Sequence, residues 1–138
     1  MSGTYVLIVA VDRPTTVEVG ALGVHEFAAG AYAYVGSAFG PGGFARIDRH
    51  LELAAGERET RHWHVDYLLG DPAASLETAI TFADADRECE LAGQLPGEPV
   101  AEFGASDCDC EAHLLDAPSE EAVRGAAVDA GGLVRKAD

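Results

Sequence analysis

The segment from Gly30 to Leu51 holds the residues best suited to chemistry in this chain. Its first part, Ala31-Tyr32-Ala33-Tyr34-Val35-Gly36-Ser37, alternates small and aromatic residues, as a strand does when its two faces differ. Tyr32, Tyr34 and Gly36 then share one face, and Ala31, Ala33, Val35 and Ser37 the other. Gly40-Pro41-Gly42-Gly43 breaks the strand, and Phe44, Ile47 and Leu51 recur beyond it at helical spacing. Arg46 and His50, four apart, occupy a neighbouring stripe of that helix. Phenols, exposed backbone N–H groups and a guanidinium fork in one strand–turn–helix unit suit a phosphate, because the N–H groups and the arginine can both donate to its oxygens. Taken alone, a tyrosine pair on a strand is equally well ordinary packing with its hydroxyls reaching the surface.

Two other clusters carry metal-ligand chemistry. If His62-Trp63-His64-Val65-Asp66 is a strand, His62, His64 and Asp66 fall on one face, with Trp63, Val65 and Tyr67 on the other. Two imidazoles and a carboxylate there suit a metal, or else form a polar network beside Arg46 and His50. Cys108-x-Cys110-x-x-His113 offers three ligands for Zn²⁺, with Cys89 or Asp107 as a fourth. The alternative is a set of small buried thiols in a turn opened by Ser106 or Asp107. Acidic clusters such as Glu52, Glu57 and Glu59 read as solvated surface.

The elements that must position these groups follow from hydrophobic patterning. Residues 4–11 are apolar on both faces, which suits a central strand covered on both sides. A turn at Asp12-Arg13-Pro14 leads to a second strand at Thr15–Val19, and Val24–Phe27 reads as a further short one before the turn Ala28-Ala29-Gly30. Beyond residues 61–69 the pattern predicts a strand at Thr78–Phe82 and a helix from Asp84 to Gln94 with Asp84 or Asp86 as N-cap. A short strand follows at Val100–Phe103. The last helix is capped by Ser119, runs to about Val128 and is ended by Gly131-Gly132. With no internal repeat and no low-complexity linker, residues 1–138 read as one α+β domain.

Composition narrows the partners. The 138 residues are 48% hydrophobic, enough to bury a core without staples. No apolar run approaches the roughly 20 residues of a membrane helix. The run Tyr5–Val11 has neither a basic region before it nor a small-residue cleavage site after it, so it reads as structure, and we expect a cytoplasmic protein. Three cysteines without a secretion signal do not suggest a disulfide framework. The 24 acidic and 9 basic residues give a net charge of -15, which ordinarily argues against a nucleic-acid footprint. Lys136 is the sole lysine, however, and acid-rich, lysine-poor composition is that of proteins working in concentrated salt. At 1 M salt the Debye length falls to about 3 Å, and a few local arginines outweigh the global charge. We favour this halophilic reading.

With these residues in view, the chain resembles the GIY-YIG nuclease superfamily. Gly3-Thr4-Tyr5 stands for the first motif, Tyr34-Val35-Gly36 for the second, and Arg46 lies in Ala-Arg-Ile-Asp-Arg-His. More specifically, it resembles a branch, sometimes fused to endonuclease III-type glycosylases, that also carries the segments seen here as His62–Leu69, Glu88-Cys89-Glu90 and Phe103–Leu114. The resemblance implies a small α+β domain with a three-stranded antiparallel sheet flanked by helices. The long span from Tyr5 to Tyr34 adds extra short strands to that plan. It further implies a phosphodiesterase site using Mg²⁺ or Mn²⁺. Tyr5 would lie near the attacking water as general base with Tyr34 beside it. Arg46 would bind the scissile phosphate, and Glu90 would hold the metal. His50 joins Arg46 among the expected catalytic residues, and Gly36, Ser37, His62 and His64 are expected to meet substrate.

The chemistry is compatible. A phenol with a pKa near 10 needs a cation or a metal-bound water to act as a base at neutral pH, and a hard carboxylate suits Mg²⁺. The expected activity is hydrolysis of DNA phosphodiesters, on branched or damaged DNA, with a repair-protein partner to deliver it. The rival readings are a catalytically idle module that binds nucleic acid or a protein, and a zinc-binding structural domain. The nuclease reading requires Tyr5, Tyr34, Arg46 and Glu90 to converge in one cleft. No membrane association is expected.

Overall fold

Strand β1 (Gly3–Val11) is buried almost throughout, as its two-sided apolar pattern requires. It lies between β4 (Gly30–Ser37) and β5 (Ala74–Ala83), antiparallel to both. The structure is a computed structural model that describes residues 3–18, 23–37, 47–48, 64–71, 73–83, 87–99 and 114–136. Around the central three strands the sheet is larger than expected. It has six strands in the order β6-β7-β4-β1-β5-β8, all antiparallel. The added strands are β6 (Glu98–Pro99), β7 (Leu114–Ala117) and β8 (Leu133–Lys136). Each is four residues or shorter, too brief for alternation to register in the sequence.

The inserted strands form a separate hairpin, β2 (Thr15–Glu18) with β3 (Val24–Phe27). Asp71 ties this hairpin down: its carboxylate accepts from Thr15 Oγ1 at 3.1 Å and from the Ala73 N–H at 2.9 Å. Val17 and Phe27 pack into the same core as Tyr5, Leu7 and Val9, so the hairpin covers that face of the sheet. Helix α1 (His64–Leu69) covers it too, through Leu68 and Leu69. The strand expected over residues 61–69 is therefore corrected to a helix where described.

The opposite face presents Val6, Ile8, Ala33, Val35, Ile80 and Phe82. Helix α2 (Glu88–Gln94) lies on it through Leu91, and α3 (Glu120–Asp129) through Val123 and Ala127. Helix α3 starts as expected, with Ser119 Oγ accepting from the Ala122 N–H at 3.1 Å. At its end Gly131 takes φ 105°, and the N–H groups of Gly131 and Gly132 return to the carbonyls of Val128 and Ala127. That left-handed residue is why a glycine stands there. Helix α2 departs from expectation: its N-cap position is Arg87, which offers no side-chain cap. Asp84, Asp86 and the strand expected at 100–103 lie outside the described residues.

Candidate functional site

Tyr5 and Tyr34 lie on one face of the sheet. The register sets Tyr5 opposite Gly36 and Leu7 opposite Tyr34, so the two tyrosines are diagonal neighbours on adjacent strands. Their ring centroids are 6.5 Å apart with the planes tilted by 49°. The Tyr5 ring reaches this position by lying across Gly36. A Cβ at Gly36 would come within 2.5 Å of Tyr5 Oη and 2.8 Å of Cε2, well inside contact distance. Tyr5 and Gly36 are thus two halves of one fit. Both tyrosines are buried, at 1% and 4% exposure.

Ile47, the residue after Arg46, is fully buried in the cluster that contains both tyrosines. Arg46, His50 and His62 lie outside the described residues, as do Cys108, Cys110 and His113. Ser37 ends β4, one residue past Gly36. The backbone of His64 opens helix α1. The expectation that His62, His64 and Asp66 share a face rested on strand alternation, and a helix turns about 100° per residue instead. For His64 and Asp66, both in α1, strand alternation does not apply, and His62 lies outside the described residues.

Tyr32 is the third phenol on the face. Its Oη donates to the Ala28 carbonyl at 2.9 Å, and its ring meets Phe27 edge-on at 5.7 Å. Burial pushes its pKa above the usual 10.0, Asp116 across the β4–β7 pair adds to the rise, and the hydrogen bond to Ala28 partly offsets both.

Glu90 does not join this group. It stands on α2, whose Leu91 packs on the opposite face of the sheet. Its exposed carboxylate accepts from Nε of Arg87 and pairs with Nη2. A metal shared by Glu90 and the two tyrosines does not fit, because the sheet lies between them and the carboxylate is committed to a guanidinium. The four-residue convergence expected for the nuclease is therefore not met through Glu90. Among the described residues no group of three His, Cys, Asp or Glu side chains is placed to hold a metal ion.

Sequence reasoning missed Thr4 and Arg87. The Arg87 guanidinium lies 5.2 Å from the Phe82 ring centroid and donates to the Ala130 carbonyl at 2.7 Å. Its backbone N–H donates at 2.9 Å to Oγ1 of fully buried Thr4, the middle residue of the first motif. Thr4 thereby ties the N-cap residue of α2 to β1 by accepting its backbone N–H. A lone threonine in an aliphatic run was the available signal.

Among the described residues no helix is long and apolar enough to cross a membrane. No curated protein and no solved structure matches the chain. A family model described as a domain of unknown function, DUF123, matches residues 4–134, from Thr4 in the first motif to Val134 in β8. With nearly its whole length matched, the chain belongs to the DUF123 family.

Proposed function

We propose that the chain is a GIY-YIG-type phosphodiesterase acting on DNA, with its site on the tyrosine face of the sheet. The observation that carries this reading is the fit of Tyr5 across Gly36 beside Tyr34. It gives a mechanical reason for a tyrosine in one motif to be coupled to a glycine in the other, and it sets two phenols side by side. In this reading Tyr5 takes the proton of the attacking water, Tyr34 orders that water, and Arg46 binds the scissile phosphate with His50 nearby. Gly36, Ser37, His62 and His64 line the substrate path. The proposal withdraws Glu90 from the four residues required to converge and keeps Tyr5, Tyr34 and Arg46: Mg²⁺ or Mn²⁺ is the proposed cofactor, held by a carboxylate other than Glu90, and Zn²⁺ at Cys108, Cys110 and His113 is a separate structural proposal. A repair protein that presents branched or damaged DNA to so acidic a chain is part of the same proposal, as is a cytoplasmic setting.

A second reading, a catalytically idle module that binds DNA or a protein, is favoured by the burial of both tyrosines and the engagement of Glu90 with Arg87. One experiment separates the two. Nicking of branched and damaged duplexes is measured with Mg²⁺ or Mn²⁺ in concentrated KCl for wild type, Tyr5→Phe and Arg46→Ala. The phosphodiesterase reading expects turnover that falls by about 100-fold or more in both variants, the usual cost of losing a general base or a phosphate clamp. Turnover equal in all three is contamination and removes that reading. DNA bound by wild type without cleavage establishes the idle module.

A further inference from the structure

A groove of about 660 Å³ lies at the end of the β2–β3 hairpin. Pro14, Thr15 and Thr16 line it where the chain enters β2, and Glu26, Phe27 and Ala28 where the chain leaves β3. Small-molecule pockets occupy roughly 300–1,000 Å³, so the groove is large enough to hold one. None of the residues assigned to phosphodiester chemistry lines it, so the groove and the tyrosine pair are independent sites.

The side chains of this groove present acceptors. Thr15 Oγ1 donates its proton to the Asp71 carboxylate at 3.1 Å, so toward any other group its oxygen accepts. Thr16 and Glu26 stand directly opposite in the hairpin register and are both exposed, which puts a hydroxyl and a carboxylate on one face. Pro14 has no N–H to offer. Glu26 is the one charged residue of the wall, and among the described residues it has neither a hydrogen bond nor an ion pair. Arg13, next to Pro14 in the chain, pairs with Asp12 at 3.0 Å instead. Such a surface repels an anion and matches a cation whose polar atoms are all donors. A guanidinium suits it better than an ammonium. Its planar fork takes both oxygens of a carboxylate at once, and its weaker hydration lets it lie against Pro14, Phe27 and Ala28.

We propose that this groove binds an organic cation, a guanidinium group on a short apolar stem. Glu26 pairs with the guanidinium, Thr16 accepts from it, and Pro14, Phe27 and Ala28 cover the stem.

The test titrates the whole chain with n-butylguanidinium and follows its amide chemical shifts in about 0.5 M KCl, where only close ion pairs persist. The amides of Thr15, Thr16, Glu26, Phe27 and Ala28 are expected to shift together with a Kd of about 1 mM, in keeping with a ligand of so few atoms. n-Butylurea has the same shape without the charge and is expected to bind at least about tenfold more weakly. Glu26→Gln, at an exposed position that leaves the core intact, is expected to weaken n-butylguanidinium binding by about the same factor. Glu18→Gln removes an exposed acid of the same hairpin outside the groove and is expected to leave the affinity within about twofold. N-acetylarginine methylamide binding more tightly than n-butylguanidinium would assign the guanidinium to an arginine of a protein, and the reverse order to a free molecule. The proposal is overturned if those amides do not shift at about 10 mM n-butylguanidinium, or if n-butylurea binds equally well. It is also overturned if Glu18→Gln weakens binding as much as Glu26→Gln, because the ligand is then drawn to the acidic surface at large.

Discussion

The two faces of the central sheet are built from the same three strands and differ in kind. One buries rings: Tyr5, Tyr32, Tyr34 and Phe27 lie under a short helix and a hairpin. The other buries mainly aliphatic and small side chains, among them Val6, Ile8, Ala33 and Val35, with Phe82 as its one ring among the described residues, under two helices. Their buried polar atoms differ as well. On the helix face the hydroxyls of Thr4 and Thr78 accept from Arg87 and Arg124, so they fasten the covering helices to the strands. On the ring face the described residues bring three phenols together. Each joins a packing ring to a hydroxyl that can donate or accept, and Tyr32 donates its own to the Ala28 carbonyl. The difference teaches that the helix face holds the sheet's layers together, and it is why the proposed chemistry belongs to the other face.

The sharpest way to break this comparison is at Gly36. In Gly36→Ala the new Cβ meets the Tyr5 ring well inside contact distance, and Tyr5, at 1% exposure, has little room to move. Overpacking of this kind costs about 1–3 kcal/mol, and the ring must leave its place beside Tyr34. The expected result is a lower urea midpoint together with a changed tyrosine near-ultraviolet circular dichroism. A variant as stable as wild type with an unchanged tyrosine signal would mean that Tyr5 is not held by this fit.

How far the sequence disclosed this arrangement depends on what each element needed. The alternation in residues 31–37 placed Tyr32, Tyr34 and Gly36 on one face because that strand is regular. Strand β5 was legible only in part. Its pairing with β1 shifts between Ile8 and Val9, which skips Glu77. The bulge sets Leu76 and Ala79 on the ring face together, so no single period runs through the strand. β7 reads Leu-Leu-Asp-Ala, buried on both faces near its start, which has no alternation to detect. Helix α1 spans six residues, under two turns, where helical and strand periods cannot be told apart. The side of the sheet on which Glu90 stands was hidden for another reason. Leu91 and Leu95, four apart, announce that α2 has a buried side, but nothing local says which face of the sheet receives it. The Thr4–Arg87 bond, between residues 83 apart in sequence, helps to fix that choice.

Tyr32 sharpens the comparison at a smaller cost. Tyr32→Phe keeps the ring against Phe27 and deletes the hydrogen bond to Ala28, a loss of about 1 kcal/mol near neutral pH. The pH dependence separates it from a plain packing change. The folded pKa of Tyr32 is raised above 10.0, so folding favours the protonated phenol. Its contribution is fully present below pH 10 and is lost as pH rises through the folded value, because the unfolded chain releases that proton first. The gap between wild type and Tyr32→Phe in urea midpoint is therefore expected to hold steady up to about pH 10 and to shrink above it. A gap that widens at alkaline pH would mean that burial and Asp116 do not act on this phenol as described.

The smallest expected effect falls on Glu90, the residue expected from the resemblance to hold the metal. Glu90 is exposed and pairs with Arg87 three residues earlier on the same helix, and such pairs contribute about 0–1 kcal/mol. Glu90→Gln keeps an oxygen able to accept from Arg87 and removes the charge, so the urea midpoint is expected to move little. Arg87 retains its position over Phe82 and its bond to Ala130, both independent of the carboxylate. If the chain cleaves DNA, Glu90→Gln is expected to leave the rate within about twofold of wild type, since an exposed charge on the far side of the sheet is screened within about 3 Å at 1 M salt. A collapse of cleavage at unchanged stability would show that the carboxylate does reach the reacting phosphate. The two faces would then form one site, joined around the end of the sheet where β1 begins, and the division of labour between them would have to be withdrawn.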